Sequence, residues 1–564
     1  MSTKYPAEAD QLEVWVIKNS NWLALGIIAA AFAIRVAYAG SCYLNPDEAE
    51  HFGAARPASW LGACAAALML PHPPLFILVL HGFLVFGRTE LILRLPSLAG
   101  GTAALGLAFS WLRRSLGEIA ALAGLGFMAI APVAITASTE VRQYGLLLCF
   151  VCGSLYATER MFTERSTVWA IVQGLFLLGA LLTHYATIVV LGSLGLYVVV
   201  RLLQGDMPRR IVFTMVVNQF VLALLLGCLY FGHIRRASVF NPGGSLNYLG
   251  HYFYAPGRET PLGFVWRVLF ETFNYAVGLR PLALLFMLIF VAGLAGLLTG
   301  RTKAPKLQAL LVISPFVVGF IAALFRVFPF AGSRHQTYLL PFLAAGISAA
   351  FAWLPRRRAV PILLLGAVVA PFWAIHSSPE NDARVTPISD MTAAISYIGR
   401  TVPPGTPLFA DDMTRDVLRY YLSRNNKALD IVRVEEGAEE WLDDHRFVIP
   451  PTAPRAFRPA EMVEEVTEAA RTIGVPSGDP LCVVSVAWKE SSLASRLPAG
   501  PGRDVREFGR ISVISISHKN TDPYIREAVV FALSATEGVP RIGVETSPLH
   551  SQRKREVPCG APGS

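Results

Sequence analysis

The chain has 564 residues, of which 53% are hydrophobic and only 16% are charged, and its mean hydropathy is +0.47. Soluble domains carry about 25% charged residues, so a uniformly soluble enzyme and a disordered chain are both excluded. The charge is also divided, because residues 1–376 hold 27 basic and 14 acidic side chains, whereas residues 377–564 hold 22 and 26. Surplus basic charge in the apolar part is typical of membrane loops and predicts no nucleic-acid partner.

Long apolar runs predict membrane-spanning helices, each of which needs about 20 apolar residues. In chain order these runs lie near 22–40, 92–112, 117–137, 142–160, 168–185, 186–203, 211–232, 281–300, 307–325, 336–354 and 359–376. Two further apolar stretches, 72–87 and 262–279, are shorter or interrupted. The sequence therefore predicts a polytopic α-helical membrane protein with about 11 spans.

Basic residues predict the orientation, because they concentrate in cytoplasmic loops. With residues 1–21 in the cytoplasm and 72–87 not spanning, the pair Arg113 and Arg114 and the later basic clusters all fall on the cytoplasmic side. We therefore expect 72–87 and 262–279 to lie on, or dip into, the outer face. Ala37-Tyr38-Ala39 resembles a signal-peptidase site, but Arg35 inside the preceding apolar run favours a retained first helix.

This topology collects polar residues on the outer face. The first outer loop, 41–91, carries Asp47, Glu48, His51 and His72. Other outer turns and helix ends carry Arg35, Arg94, Glu140, Arg142, Tyr144, His184, Tyr185, Arg334 and His335. Ionisable groups at membrane depth are usually functional, although a single arginine near a helix end often only reaches the headgroups. Because arginine matches phosphate oxygens, their convergence predicts a site for an anionic ligand, in particular a phosphate.

The Asp47–Glu48 pair allows two interpretations. Acidic residues after a helix often mark an exposed loop, whereas burial raises the pKa of one carboxyl and makes it a candidate base. Asp47 and His51, spaced i,i+4 on a predicted helix over 47–55, provide two metal ligands, which is a weak indication of a metal site.

The motifs and their order resemble the protein O-mannosyltransferase and aminoarabinose-transferase superfamily. The matching residues are Asp47-Glu48-Ala49-Glu50-His51-Phe52, His72-Pro73-Pro74-Leu75, Arg94-Leu95-Pro96-Ser97, Glu140-Val141-Arg142-Gln143-Tyr144, Thr183-His184-Tyr185 and Arg334-His335-Gln336-Thr337-Tyr338-Leu339-Leu340-Pro341. The resemblance covers about residues 20–376 and implies a GT-C fold glycosyltransferase that uses a polyprenyl-phosphate sugar. An arginine in the first span, as at Arg35, also fits this resemblance.

The resemblance further implies an inverting transfer on the outer face. Asp47, with Glu48 beside it, is then the catalytic base. Residues expected to bind the lipid phosphate or the substrate are Arg35, His72, Arg94, Glu140, Arg142, Tyr144, His184, Tyr185, Arg334 and His335. No metal or other cofactor is expected. His72 departs from the lysine of the aminoarabinose-transferase branch, and the chain lacks the luminal sugar-binding repeats of eukaryotic mannosyltransferases, so the substrate is not carried over from either.

Residues 377–564 predict a soluble, extracytoplasmic α/β domain, because short strands alternate with helices. Helices are expected at 388–400, Asp411–Ser423 and near 457–472, and strands at Pro407–Ala410, 430–434, 446–449, 481–488 and 511–517. Asp411 and Asp412 are expected to form a helix N-cap. A role of this domain in acceptor recognition is a hypothesis.

Two other classes of protein were weighed. A flippase or transporter of polyprenyl-linked glycans should show internal repeats and polar residues near mid-membrane, whereas the polar groups here gather at one face. An O-antigen-type polymerase or ligase usually has its large loop late in the chain, whereas this chain has it first.

Lysine is rare beside arginine, 8 against 41, which favours a bacterial source. The preferred prediction is a bacterial inner-membrane enzyme of the cell envelope, acting in protein glycosylation or lipopolysaccharide modification. Its partners would be a polyprenyl-phosphate sugar, a lipid, glycan or protein acceptor, and membrane lipids.

Overall fold

The structure is a computed structural model, and it describes most of the first two thirds of the chain and parts of the tail. The described residues are 11–205, 207–235, 249–300, 303–355, 358–366, 369, 387–403, 405–423, 439–442, 445–448, 466, 481–486, 503–508 and 510–516.

Helices dominate the described residues up to 366. They are α1 Gln11–Lys18, α2 Ser20–Ser41, α3 Pro46–Ala55, α4 Trp60–Ala67, α5 Leu75–Phe83, α6 Glu90–Leu116, α7 Glu118–Ile130, α8 Pro132–Thr139, α9 Tyr144–Glu164, α10 Thr167–Thr183, α11 Thr187–Gln204, α12 Arg209–Leu229, α13 Pro261–Val277, α14 Arg280–Thr299, α15 Lys303–Leu324 and α16 Leu340–Trp353. A 3-10 turn, Arg334–Leu339, leads into α16.

Several of these helices are long and apolar enough to cross a membrane, and the chain is a multi-pass membrane protein. Among the described residues seven helices pass this test, and the bent pair α7–α8 makes an eighth. At 17 and 14 residues, α10 and α16 are shorter than a full span. The predicted span 359–376 falls partly outside the described residues, so the count of about 11 is not confirmed. The doubtful stretches 72–87 and 262–279 form α5, extended by a 3-10 turn, and α13; their position in the membrane stays a prediction.

Arg35 stabilises the bend between α7 and α8. The two helices meet at 59°, and Pro132, at the start of α8, has no N–H to donate to the carbonyl four residues earlier. The buried Arg35 guanidinium donates instead to the carbonyls of Met128 and Ala129, at 3.2 and 2.9 Å, and to that of Ala31. In an apolar environment such unpaired carbonyls would be costly, so Arg35 has a structural role at this bend.

Two glycines bring α6 and α9 into close contact. A Cβ on Gly100 would lie 2.8 Å from the backbone of Gly145, and a Cβ on Gly145 would lie 2.3 Å from the carbonyl oxygen of Ser97. Small residues allow this approach in membrane helix pairs. The close contact places the residues just before α9 directly against α6.

A six-stranded mixed sheet forms in the tail. Its strands are β1 Pro407–Ala410, β2 Glu439–Leu442, β3 His445–Val448, β4 Leu481–Val486, β5 Arg503–Phe508 and β6 Ile511–Ile516. Their order is β2-β3-β1-β4-β6-β5, with β1 parallel to β3 and β4 and the other pairs antiparallel.

The sheet and two helices, α17 Ile388–Thr401 and α18 Asp412–Ser423, confirm the predicted α/β character. The Asp411 carboxylate accepts from the N–H of Thr414 at 2.7 Å, as expected of an N-cap. Strands β2 and β5 were not predicted. The predicted strand 430–434 lies outside the described residues, as does the predicted helix 457–472 apart from residue 466.

Helix α18 docks onto the segment around α3. The Tyr421 hydroxyl accepts a hydrogen bond from the N–H of Leu44 at 2.8 Å, and the Tyr420 hydroxyl donates to the carbonyl of Arg88 at 2.7 Å. The Tyr420 ring also meets Phe52 edge-on at 5.1 Å. The tail therefore contacts the loop that carries the predicted catalytic acids.

Candidate active site

Local sequence determines the short helix α3. The Asn45 side chain accepts from the N–H of Glu48, the Glu48 side chain accepts from the N–H of Asn45, and Pro46 occupies the first turn. This is a capping box with proline at a favoured position. It confirms the helix predicted over 47–55 and places Asp47 and Glu48 in its first turn, where both are buried.

Glu48 is the centre of a buried polar junction. Arg94, on α6, donates to both carboxylate oxygens at 2.8 Å and also to the carbonyls of Ala39, Cys42 and Tyr43. The N–H of Val141 donates to the same carboxylate at 2.7 Å. Sequence analysis assigned Glu48 a catalytic role and Arg94 a phosphate-binding role, but the structure pairs them with each other. Their geometry is that of a positioning pair which joins α3, α6 and the turn before α9.

That junction positions Arg142. The Ser97 hydroxyl donates to the carbonyl of Arg142 at 2.7 Å, next to the close approach of α6 and α9. The Arg142 side chain is buried and reaches Asp47, with Nη1 2.5 Å from Oδ2. The buried arginine therefore depends on the Glu48 junction for its place.

Asp47 is held by two arginines. Arg334, at the start of the 3-10 turn, places Nη1 2.6 Å from the same Oδ2 that Arg142 contacts. Burial raises the pKa of Asp47, but the Arg142 and Arg334 guanidiniums outweigh burial and hold the pKa of this carboxyl well below its usual range. Two elements far apart in sequence thus bring two positive charges to one carboxylate.

Four histidine rings form a row beside this cluster. The ring centroids of His51 and His72 are 5.8 Å apart, those of His72 and His184 are 5.8 Å apart, and those of His184 and His335 are 6.0 Å apart. Tyr144 lies 5.5 Å from His184. Burial is the main cause that lowers the pKa of His51, His72 and His335. These rings are therefore neutral at pH 7, and the charge available to an anion comes from the arginines.

Glu140 is the acid whose ionisation falls nearest to neutrality. Burial, followed by the charge of Glu48, raises the pKa of Glu140 to about 7, although Arg142 and Arg334 oppose the shift. Its carboxyl group therefore changes charge in the physiological pH range. A protonation change here alters the net charge around the two arginines.

The structure separates two predicted site residues from this cluster. Arg35 binds carbonyls at the α7–α8 bend, as described above. The Tyr185 hydroxyl contacts Nδ1 of His233 at 2.5 Å, and Nε2 of His233 donates to the carbonyl of Leu70 at 2.7 Å. These contacts join the turn before α11 and the segment after α12 to the first loop.

Sequence reasoning left two contacts out of the predicted site. His51 donates from Nδ1 to the carbonyl of Asp47 at 2.7 Å and lies 3.3 Å from Gln143 through Nε2. The i,i+4 spacing of Asp47 and His51 was the signal for this contact. Gln143 adjoins Arg142 in a matching motif, but its contact with His51 had no signal in the sequence.

No group of three or more His, Cys, Asp or Glu side chains among the described residues has the geometry of a metal site. The expectation of a reaction without a metal stays a prediction.

Comparison with known proteins shows which family and which solved structure the chain resembles. Residues 71–231 match the family model described as dolichyl-phosphate-mannose-protein mannosyltransferase. ArnT from Cupriavidus metallidurans, solved bound to undecaprenyl phosphate, is 17% identical with a TM-score of 0.51, and the match covers 88% of this chain and 98% of that chain. The chain has the GT-C fold. This likeness confirms the predicted fold class, and the family-model match over residues 71–231 supports the predicted enzyme class.

Two further solved structures are similar to this chain at lower TM-scores. The Saccharomyces cerevisiae Pmt1–Pmt2 complex bound to the sugar donor is 18% identical with a TM-score of 0.30, covering 43% of this chain and 37% of that chain. The Archaeoglobus fulgidus oligosaccharyltransferase is 11% identical with a TM-score of 0.44, covering 84% and 70%. No curated protein matches the chain in sequence at a significant level. The fold assignment therefore rests on the likeness to ArnT.

Proposed function

We propose that the protein is a glycosyltransferase that moves a sugar from a polyprenyl-phosphate donor to an acceptor hydroxyl, with inversion at the anomeric carbon. The observation that carries the proposal is the convergence of Arg142 and Arg334 on the buried Oδ2 atom of Asp47. Planar guanidinium groups bind phosphate oxygens in pairs. The two arginines are the phosphate-binding residues, and Asp47 is the general base beside them.

The reaction is a single displacement. The acceptor oxygen attacks the anomeric carbon, its proton passes to the carboxylate of Asp47, and the bond from that carbon to the phosphate oxygen breaks. Polyprenyl phosphate leaves with the bonding electron pair, and Arg142 and Arg334 stabilise the negative charge that develops on it. The neutral histidine row, together with Tyr144, supplies hydrogen-bonding groups for the sugar or the phosphate.

The proposed setting is the bacterial inner membrane, with the site and residues 377–564 on the periplasmic side and 22–376 as the catalytic membrane domain. The acceptor is a lipid, a glycan or a protein of the cell envelope. The contact of α18 with the segment before α3, through Tyr421 and Leu44, supports a tail that lies at the entrance to the site.

Mass spectrometry of envelope glycans tests this proposal. A strain that lacks the gene should lose one sugar from an envelope glycan, lipid or protein and should accumulate a polyprenyl-phosphate-linked sugar. The wild-type gene and an Arg114→Ala control should restore the glycan, because Arg114 pairs with Glu164 in exposed positions at the other end of α6. The Arg142→Ala and Arg334→Ala genes should not. Restoration by both of these variants, or no accumulation of the lipid-linked sugar, would overturn the proposal.

A further inference from the structure

In this structure Asp47 is paired with Arg142 and Arg334, the two arginines proposed to bind the donor phosphate. Both arginines place Nη1 within 2.6 Å of the Oδ2 atom of Asp47, and the Asp47 and Arg142 side chains are only 7% and 3% exposed. The arginines that the donor phosphate needs are therefore already bound to an anion. That anion is the group that must later accept a proton.

A carboxylate paired with two guanidinium groups is a weak base. Each guanidinium favours the ionised form, so taking a proton from a hydroxyl would weaken both ion pairs of the buried Asp47 carboxylate. The Asp47 carboxylate and the donor phosphate thus compete for the same two arginines. While both ion pairs are intact, Asp47 is a weakened base and the arginines bind phosphate less tightly.

We infer that the donor phosphate displaces Asp47 from Arg142 and Arg334, so that the base is released only after the donor has bound. This inference rests on the proposed function and describes how that site is regulated. The phosphate brings two or more oxygens to the planar forks and replaces the carboxylate as their partner. Asp47, no longer paired, then faces the acceptor as a stronger base.

The same exchange explains how the product leaves. After transfer, Asp47 carries the acceptor proton and no longer competes for the arginines. Once that proton passes to solvent, the carboxylate is again an anion that can pair with Arg142 and Arg334. It then displaces polyprenyl phosphate, and the cycle returns to the arrangement seen here.

If the phosphate displaces Asp47, removal of the Asp47 charge should strengthen phosphate binding. If Asp47 instead helped to bind the phosphate, removal of its charge would weaken binding. A resting state in which the arginines are occupied lowers the apparent affinity for phosphate. Asp47→Asn removes the competing anion and should therefore bind the lipid phosphate more tightly than the wild type. If Asp47 helped to bind the phosphate, the same variant would bind it more weakly.

The test is a measurement of undecaprenyl phosphate binding by purified full-length protein in detergent at pH 8. We expect Asp47→Asn to lower the Kd roughly tenfold. Glu140→Gln removes a second carboxylate on which both arginines act electrostatically, and it should lower the Kd only about two- to threefold. Glu164→Gln, at the far end of the bundle, should leave the Kd unchanged.

Three results would overturn the inference: unchanged binding by Asp47→Asn, weaker binding, or a gain no larger than that of Glu140→Gln. Asp47→Ser serves in place of Asp47→Asn if the latter does not elute as a folded monodisperse protein. Turnover separates the two proposals. Tighter binding together with full transfer activity would remove Asp47 as the base and leave displacement standing. Lost transfer activity without tighter binding would leave Asp47 as the base and remove displacement.

Discussion

Arg94 holds Glu48 through two hydrogen bonds, Nε to Oε1 and Nη2 to Oε2, each 2.8 Å long and buried from solvent. The same carboxylate accepts from the N–H groups of Asn45 and Val141. One side chain thus joins the helix that carries Asp47 to the turn that carries Arg142. The distance between Asp47, the proposed base, and Arg142, a proposed phosphate-binding residue, therefore depends on the Arg94–Glu48 pair.

Glu48→Ala is therefore expected to destabilise the protein. It leaves a buried guanidinium without its partner, which costs about 3–5 kcal/mol, and removes the acceptor of two N–H groups. A lowered melting temperature in detergent checks this. Glu164→Ala is the control, because its ion pair with Arg114 is exposed and such pairs contribute little. Equal melting temperatures for both variants would show that the junction does not stabilise the fold.

Arg35→Met distinguishes a structural role from a phosphate-binding role. The substitution unpairs the carbonyls of Met128 and Ala129, at about 1–3 kcal/mol for each, so the melting temperature should fall while the donor KM of the surviving protein stays near the wild-type value. A raised donor KM at unchanged stability would instead support the role predicted from the sequence.

Tyr421→Phe tests the contact of the tail with the catalytic segment. The variant leaves the N–H of Leu44 without its acceptor, three residues before Asp47. Looser positioning of α3 should lower kcat by roughly three- to tenfold and leave the donor KM unchanged. Tyr156→Phe, which removes a hydroxyl contacted by Arg160, is the control. If both variants keep the wild-type kcat, the tail does not position the base.

The ionisation of Glu140 should make the effect of Glu140→Gln on phosphate binding depend on pH. Burial and the Glu48 charge raise the pKa of Glu140 to about 7, so the carboxyl is mostly neutral at pH 6 and mostly charged at pH 8. Compared with the wild type, Glu140→Gln should therefore bind undecaprenyl phosphate about two- to threefold more tightly at pH 8 and equally at pH 6. Taking the ratio at each pH cancels the titration of the phosphate itself. A ratio that is the same at both pH values would contradict the raised pKa.

Apolar periodicity and turn chemistry predicted much of this fold. Each described helix from α6 to α15 overlaps a predicted apolar run, and the Asn45-Pro46 start of α3 was readable because capping is local. The partners of Arg35 and Arg94 were not readable. Both arginines bind backbone carbonyls, and every residue carries a carbonyl, so no pattern of residue types marks them.

The sequence predicted that Asp47, Arg142 and Arg334 lie on the same face of the membrane domain. It did not predict that the two arginines pair with Asp47. Their pairing depends on how α6, α9 and the turn before α16 pack, which the spacing of the motifs does not contain. Resemblance supplied Asp47 as the base, and the geometry added the two ion pairs that restrain it.

The most direct test of the central claim is the turnover of Asp47→Asn with a polyprenyl-phosphate sugar and its acceptor. A positioned base contributes about 10²- to 10⁴-fold to such a step. The account predicts a fall in kcat of that size in a protein that still folds and still binds undecaprenyl phosphate. A folded Asp47→Asn protein with near wild-type kcat would contradict it.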